Sequence, residues 1–398
     1  MGMMRRVLVV LALFALCDAA AGKGYQTAGT CGGFPRVSLH TPPGICVGLV
    51  AQQLGFARGV VELGHDIYVV DMGGWRKGRG RLLRLAHDGH DAPEVLLTGL
   101  DEPNGLAAAP GGALYLGLLG RVVRVKLSGA RPAVEDVVTD LPATGRHPLS
   151  AFAVAADGAL YLNIGSGTDH CENPDATRPD PKAPCRELVG DAPRARIVRA
   201  VPGPAAISWR AAKVVATGLR NSLGLAITGD GTLVAAVNAR DAINAADPTL
   251  SDAALPHDTF DVIRPGADYG WPYCFDNDRP SPEYRAHDCS SAQKPTLLLP
   301  PHAAPLGLLL YTGKALAEIS GRLVLPYHGY RATGHRIMSL AVDASGHPIG
   351  TPMPLVWGWD GRTGQTPMGS PVAVAEMTDG TVLVSEDHNG TLLRLARD

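Results

Sequence analysis

Apolar residues along this chain fall into short runs, each broken by a glycine-containing turn and followed by a second run of strand-forming residues. The theme reads GVVELGHDIYVVD at 59–71, NGLAAAPGGALYLG at 104–117, SAFAVAADGALYLNIG at 150–165 and LGLAITGDGTLVAAV at 223–237. It returns as LGLLLYTG with SGRLVLPY within 306–327, and as VAVAEMTDGTVLVSED at 372–387, six copies in all. Asp-Gly and Gly-Gly between such runs predict hairpins with primed turns, whose central positions need positive φ. A further strand with basic residues follows several copies: RLLRLA (81–86), RVVRVK (121–126), ARIVRA (195–200), RIMSLAV (336–342) and TLLRLA (391–396).

Two hairpin strands plus flanking strands per copy make a four-stranded blade. Six blades set radially make an all-β, six-bladed β-propeller. The copies are unevenly spaced, with long inserts near 167–194 and 240–300, so loop insertions are expected on one face of the ring. No segment holds a 3.6-residue apolar period for three turns without Gly or Pro, so long helices are not expected. A closed ring is one cooperative unit, which makes 22–398 a single domain despite its length.

The first residues have a different character. Arg5 and Arg6, an apolar run from Val7 to Leu16 and Ala19-Ala20-Ala21 have the layout of a cleavable leader over 1–21. The expected location is therefore periplasmic or secreted, with no other stretch long enough for a stable membrane span. Setting Cys17 aside, six cysteines remain in close couples: Cys31 with Cys46, Cys171 with Cys185, and Cys274 with Cys289. In an exported chain these read as three local disulfides, although six cysteines admit about 15 connectivities. With 36 Lys and Arg against 38 Asp and Glu, nothing in the charge balance favours nucleic acid as a partner. A small molecule fits better.

Candidate chemistry gathers at strand entrances. His147 immediately precedes the third copy, where an imidazole would sit near the axial mouth and could act as a general base. A surface loop histidine is the plainer reading of its position. Arg220 and Asn221 precede the fourth copy. Arg can clamp a carboxylate through two parallel hydrogen bonds, with Asn donating and accepting beside it; an interblade ion pair is the structural alternative. Asn238 and Asp241 supply hard oxygen donors of the kind calcium takes, without the spacing of an EF-hand loop.

These residues also carry a resemblance. Arg220-Asn221 with Gly224-Leu225-Ala226, then Asn238, Arg240 and Asp241, then Leu255-Pro256 leading to Gly266, Tyr269-Gly270-Trp271-Pro272 and Cys274, resemble the signature of the soluble glucose/sorbosone dehydrogenase family. Pro103-Asn104-Gly105-Leu106-Ala107 and the closing stretch 371–387 fit the same pattern, and the likeness runs from about residue 45 to the C-terminus. Family members are six-bladed propellers that use pyrroloquinoline quinone. The resemblance implies an exported oxidoreductase that oxidises an aldose, or a sugar aldehyde such as sorbosone, to a lactone or acid. It implies that His147 takes the proton of the anomeric hydroxyl while hydride passes to the quinone, with calcium polarising the accepting carbonyl. Arg220 and Asn221 become cofactor contacts, Arg331 or Arg336 a further carboxylate clamp, and Asp241 with Asn238 the calcium contacts. A separate electron acceptor is implied, since no haem motif is present. The Tyr-Gly-Trp-Pro corner becomes scaffolding beside the cofactor mouth.

Three departures mark the chain. Leu223 stands where the glucose branch has Gln, as in the sorbosone-like branch. Ser166 replaces an acid that can orient the histidine. Ser370 precedes Pro371 where relatives often carry Arg. The last two speak for a non-catalytic sugar-binding or interaction propeller, while Asn221, Asn238 and Asp241 would suit a calcium-dependent lactonase.

Overall fold

The computed structural model describes residues 25–129, 131–175, 177–329, 331–359 and 369–398; the leader expected over 1–21 lies outside them. Each sequence copy forms the inner half of one antiparallel blade. The inner strands are Ala57–Leu63, Leu106–Ala109, Phe152–Val154, Gly224–Ile227, Leu309–Tyr311 and Pro371–Glu376, in blades one to six. The basic third strands pair outside them as Gly80–Leu85, Arg121–Lys126, Arg196–Ala200, Arg336–Ala341 and Thr391–Arg397. In blade four the third strand is Thr259–Val262, which has no basic residue.

The Asp-Gly hairpins differ from the expected primed turns, whereas Gly64-His65 in blade one is a two-residue loop with Gly64 at positive φ (68°), as a primed turn requires. At Asp157-Gly158 the Gly158 N–H donates to the Ala155 carbonyl and the Ala155 N–H to that of Ala159, each at 2.8 Å. That is a three-residue loop, a type I turn followed by a bulge, with glycine alone at positive φ (82°). Asp-Gly recurs because the aspartate caps the loop: Asp157, Asp230 and Asp379 each accept the N–H two residues on, at 3.1, 3.0 and 2.9 Å.

Strand alternation then packs the ring. Along Ala113–Leu118, Leu114 and Leu116 face blade one with Tyr68 and Leu82, while Tyr115 faces blade three with Leu160, Leu162 and Val198. Both faces of a blade are buried, which is why its strands read as nearly continuous apolar runs. A channel runs down the axis past Gly59, Gly105, Phe152, Leu225, Leu308 and Val372, one residue from each blade.

Ring closure comes from a segment without a copy of the motif. Ile45–Ala51 pairs with Thr391–Arg397 and completes blade six, and the hairpin Thr27–Cys31 with Phe34–Val37 extends that sheet. Tyr25 is drawn into the same blade, its hydroxyl donating to the buried Glu386 at 2.7 Å and accepting Trp359 Nε1 at 2.8 Å. The three cysteine couples are all disulfides, and Cys31–Cys46 fastens the hairpin to the closing strand. The double variant Cys31→Ala/Cys46→Ala is expected to lower unfolding free energy by about 3 kcal/mol, the entropy of a loop of this size. Denaturant titration of both proteins checks this.

No helix among the described residues is long and apolar enough to cross a membrane. The insert expected near 240–300 is divided by the blade-four strand Thr259–Val262, and its later part and the first insert reach one face by different routes. Residues 167–194 leave the end of Leu160–Ile164 directly. Residues 263–296 begin at the other end of blade four and climb beside Lys213–Thr217, with Gly266 N–H bonded to the Val215 carbonyl and Tyr269 N–H to that of Thr217. Trp271 then donates from Nε1 to the Asp169 carbonyl at 3.1 Å, so the Tyr-Gly-Trp-Pro corner props the first insert.

Candidate active site

First strands begin, and second strands end, at the same mouth of the ring. The residues flanking them line a cavity of roughly 370 Å³, including Arg58, Trp75, Arg146, His147, Arg220, Asn221, Asn238, Asp241, His302, His328 and Arg331. His147, Arg220, Asn221, Asn238, Asp241 and Arg331 are thus brought together as the sequence suggested. Arg336 is not. Its guanidinium turns back on its own loop, bonding the Gly334 and Ala332 carbonyls, and it does not line the cavity.

His147 is half-buried, with Nδ1 at 2.9 Å from Ser166 Oγ and 3.1 Å from the Ser166 carbonyl. Among the described residues its Nε2 has no hydrogen-bond partner. Burial, and next the positive charge of Arg220, hold the imidazole well below its ordinary pKa of 6.5. It is therefore neutral at pH 7.

Arg220 is buried and paired with the equally buried Asp169 carboxylate, while Nε and Nη1 donate to the Asp169 and Asn238 carbonyls at 3.2 and 3.1 Å. Both readings of this arginine meet here, because it is an ion-pair residue that also forms the cavity wall. Three of its five N–H groups are used. Beside it runs a belt of amides: Asn163 Nδ2 donates to Asn221 Oδ1 at 3.1 Å, Asn221 Nδ2 to Asn238 Oδ1 at 3.4 Å, and Asn238 Nδ2 to the Pro305 carbonyl at 2.9 Å.

The set expected to hold calcium is otherwise occupied. Asp241 Oδ1 lies 3.1 Å from His302 Nδ1, and Oδ2 accepts Arg146 Nη2 at 3.4 Å. His302 Nε2 meets the Asp252 carbonyl at 2.6 Å, so both ring nitrogens face acceptors. The hydrogen bond to Asp241 accordingly raises the His302 pKa, and that bond lowers Asp241 to about 2. A carboxylate between two cationic groups, next to an amide committed on both sides, does not fit a calcium ion. Nor does it form the acidic axial cluster that a lactonase needs. Arg331 is likewise engaged, donating to Asp252 Oδ2 at 2.6 Å and to its carbonyl at 3.1 Å.

The opposite wall escaped sequence reasoning. Arg58 pairs with the buried Asp387 at 3.0 Å, and His328 Nε2 lies 3.0 and 3.1 Å from the two oxygens of the same carboxylate. Among the described residues Arg58 Nε is buried with no acceptor, and its guanidinium lies 5.9 Å from the ring of the exposed Trp75. Ser370 is fully buried on this side, where its carbonyl accepts the Asp387 N–H at 3.4 Å. Arg58 thus brings a cation to the side where Ser370 cannot. The available signal was positional: Arg58 immediately precedes the first copy and Asp387 closes the last, so both had to lie at the mouth.

The axial cavity of this six-bladed ring thus sets a neutral imidazole among several guanidinium groups. The glucose/sorbosone dehydrogenase family model matches residues 117–326, and the chain belongs to that family. Among solved structures, an AA12 carbohydrate-active enzyme from Trichoderma reesei superposes with a TM-score of 0.74 at 18% identity, over 94% of this chain and 99% of that one. The quinone domain of Coprinopsis cinerea pyranose dehydrogenase, in its holo form, gives 0.70 at 18% identity over 93% and 100%. The aldose sugar dehydrogenase of Streptomyces coelicolor, bound to pyrroloquinoline quinone, gives 0.60 at 16% identity over 90% and 100%. At these identities the likeness is one of fold. Comparison with curated protein sequences returns no match.

Proposed function

We propose that this protein is a pyrroloquinoline quinone-dependent dehydrogenase that oxidises an aldose, or a sugar aldehyde such as sorbosone, to a lactone or acid. The observation that carries the reading is the imidazole of His147, bonded from behind at Nδ1, neutral, and without a partner at Nε2 among the described residues, on a cavity wall rich in guanidinium groups. The residues present fit a polyacidic group. Among the described residues Arg146 has one long side-chain contact, Arg58 Nε has no acceptor, and Arg220 keeps two N–H groups beyond its three bonds. Arg58, Arg146 and Arg220 would hold its carboxylates, with Asn221 beside them.

What a bound quinone supplies is acceptance of hydride from the anomeric carbon. His147 Nε2 takes the hydroxyl proton as that hydride leaves, and the imidazolium so formed lies within the field of Asp241. The exposed face of Trp75 at the rim offers a surface for the sugar ring. Electrons then pass to a separate acceptor. The disulfides suit an oxidising compartment, supporting a periplasmic or secreted protein.

The test is dye reduction by the cofactor-free protein with added pyrroloquinoline quinone against a panel of aldoses and sorbosone. Control arms omit the quinone or remove calcium with a chelator, since the side chains expected to hold calcium are otherwise bonded. Quinone-dependent turnover of at least one sugar is expected. If no sugar is oxidised and no quinone binds, the protein is a binding propeller instead.

A further inference from the structure

Ser166 stands where an acid can orient the histidine in the glucose branch, yet His147 is held. Its Nδ1 faces two oxygens of one residue. The Ser166 carbonyl, at 3.1 Å, can only accept, which favours the proton on Nδ1. The serine hydroxyl cannot compete for that role, because its own proton goes to the Thr168 carbonyl at 2.7 Å. Ser166 Oγ is thereby left as a second acceptor. The tautomer is set by hydrogen bonds two steps removed from the cavity, with no buried carboxylate.

What holds Thr168 in place is Glu187, near the far end of the first insert. Its carboxylate accepts both the Gly167 N–H and the Thr168 hydroxyl. The same turn is stitched to the histidine's own loop: Arg146 N–H donates to the Gly167 carbonyl at 2.7 Å, and Arg194 Nη1 to that of Thr144 at 2.7 Å. The Arg194 N–H in turn donates to the Glu187 carbonyl at 2.6 Å. Close approach leaves the turn little slack, since a Cβ on Gly165 would lie 2.6 Å from the His147 carbonyl oxygen.

We propose that Ser166 and Glu187 are positioning residues for His147: Glu187 clamps the 167–168 turn, the Thr168 carbonyl takes the Ser166 proton, and Ser166 Oγ with its own carbonyl keeps the imidazole proton on Nδ1. Nε2 therefore presents its lone pair to the cavity before any ligand arrives. The inference rests on the dehydrogenase reading for its kinetic consequence, but the tautomer itself does not depend on that reading.

Two measurements separate them. Nitrogen NMR of histidine-labelled, cofactor-free protein, with the His147 signal identified in a His147→Gln variant, should show the Nδ1–H form at pH 7. In Ser166→Ala, where only the backbone carbonyl remains, and in Glu187→Gln, a mixture of tautomers is expected. In the loaded enzyme each variant should lower kcat by about three- to tenfold at unchanged KM, the worth of one neutral hydrogen bond. The double variant should fall no further than the worse single, because both act on one relay. An Nε2–H tautomer in the parent protein overturns the proposal. So does retention of both tautomer and rate in the two variants. Glu187 is half-buried in a loop and Ser166 fully buried, so Glu187→Gln carries the test if Ser166→Ala does not fold. Should the NMR result hold while no sugar is oxidised, the relay stands and the dehydrogenase reading falls.

Discussion

Replacing His147 by alanine should reduce kcat for sugar oxidation by roughly a hundred- to ten-thousandfold, the usual contribution of a positioned general base. Quinone affinity should change little, because the side chains proposed to bind its carboxylates are arginines. A titration of quinone against protein fluorescence and a steady-state assay separate the two effects. The parent enzyme's pH profile gives a second check. A base works in its unprotonated form, so activity falls as pH drops through its pKa. Burial and the Arg220 charge hold His147 well below 6.5, with the weaker pull of Asp241 acting in the opposite sense. The acid limb of kcat/KM should therefore lie below pH 6.5 and disappear as a distinct feature in His147→Ala. An acid limb at or above 6.5, or a variant with undiminished turnover, would remove His147 from the base role.

The ring was legible in the sequence because its period is local. In four blades a strand, a three-residue turn and a second strand fit within about fifteen residues, while blade one turns in two residues and blade five through the longer loop 312–321; both faces of the blades are buried. Closure was not legible. Ile45–Ala51 has no repeat of its own, and nothing local says that it pairs with residues near the opposite terminus. The site divides in the same way. His147, Arg220 and Asn221 could be picked out because they immediately precede recognisable copies, whereas Asp169, Ser166 and Glu187 act through contacts that only the folded inserts create. Motif reasoning also assigned charges without their counter-ions. Asp241 read as a free oxygen donor until His302 and Arg146 came to lie against it, and Arg331 read as a free clamp until Asp252 did. Arg336 was misplaced for a simpler reason: it sits at the start of a third strand, and the cavity is lined from the first and second.

Asp169→Ala should be strongly destabilising. Arg220 and Asp169 are both only about 5% exposed, so removing the carboxylate leaves a guanidinium in the wall of the ring with no counter-charge. Breaking a buried pair in this way costs about 3–5 kcal/mol, far more than the pair contributes relative to an apolar replacement. The carboxylate also accepts the Asp241 N–H at 3.2 and 3.3 Å, so the loss extends to the segment after the fourth copy's second strand. The backbone contacts of residue 169 to Trp271 and to Arg220 Nε survive the substitution and keep the insert docked. The double variant Asp169→Ala/Arg220→Met tests the cause directly. If the unpaired charge is what destabilises Asp169→Ala, the double variant should be more stable than the single, although it removes more polar contacts. If instead the lost hydrogen bonds dominate, the double variant will be the weaker of the two. Denaturant midpoints of the three proteins decide this. Quinone titration of the same three then asks a separate question: an Arg220 released from Asp169 can still meet a ligand carboxylate, whereas the methionine cannot, so only the double variant should lose that contact.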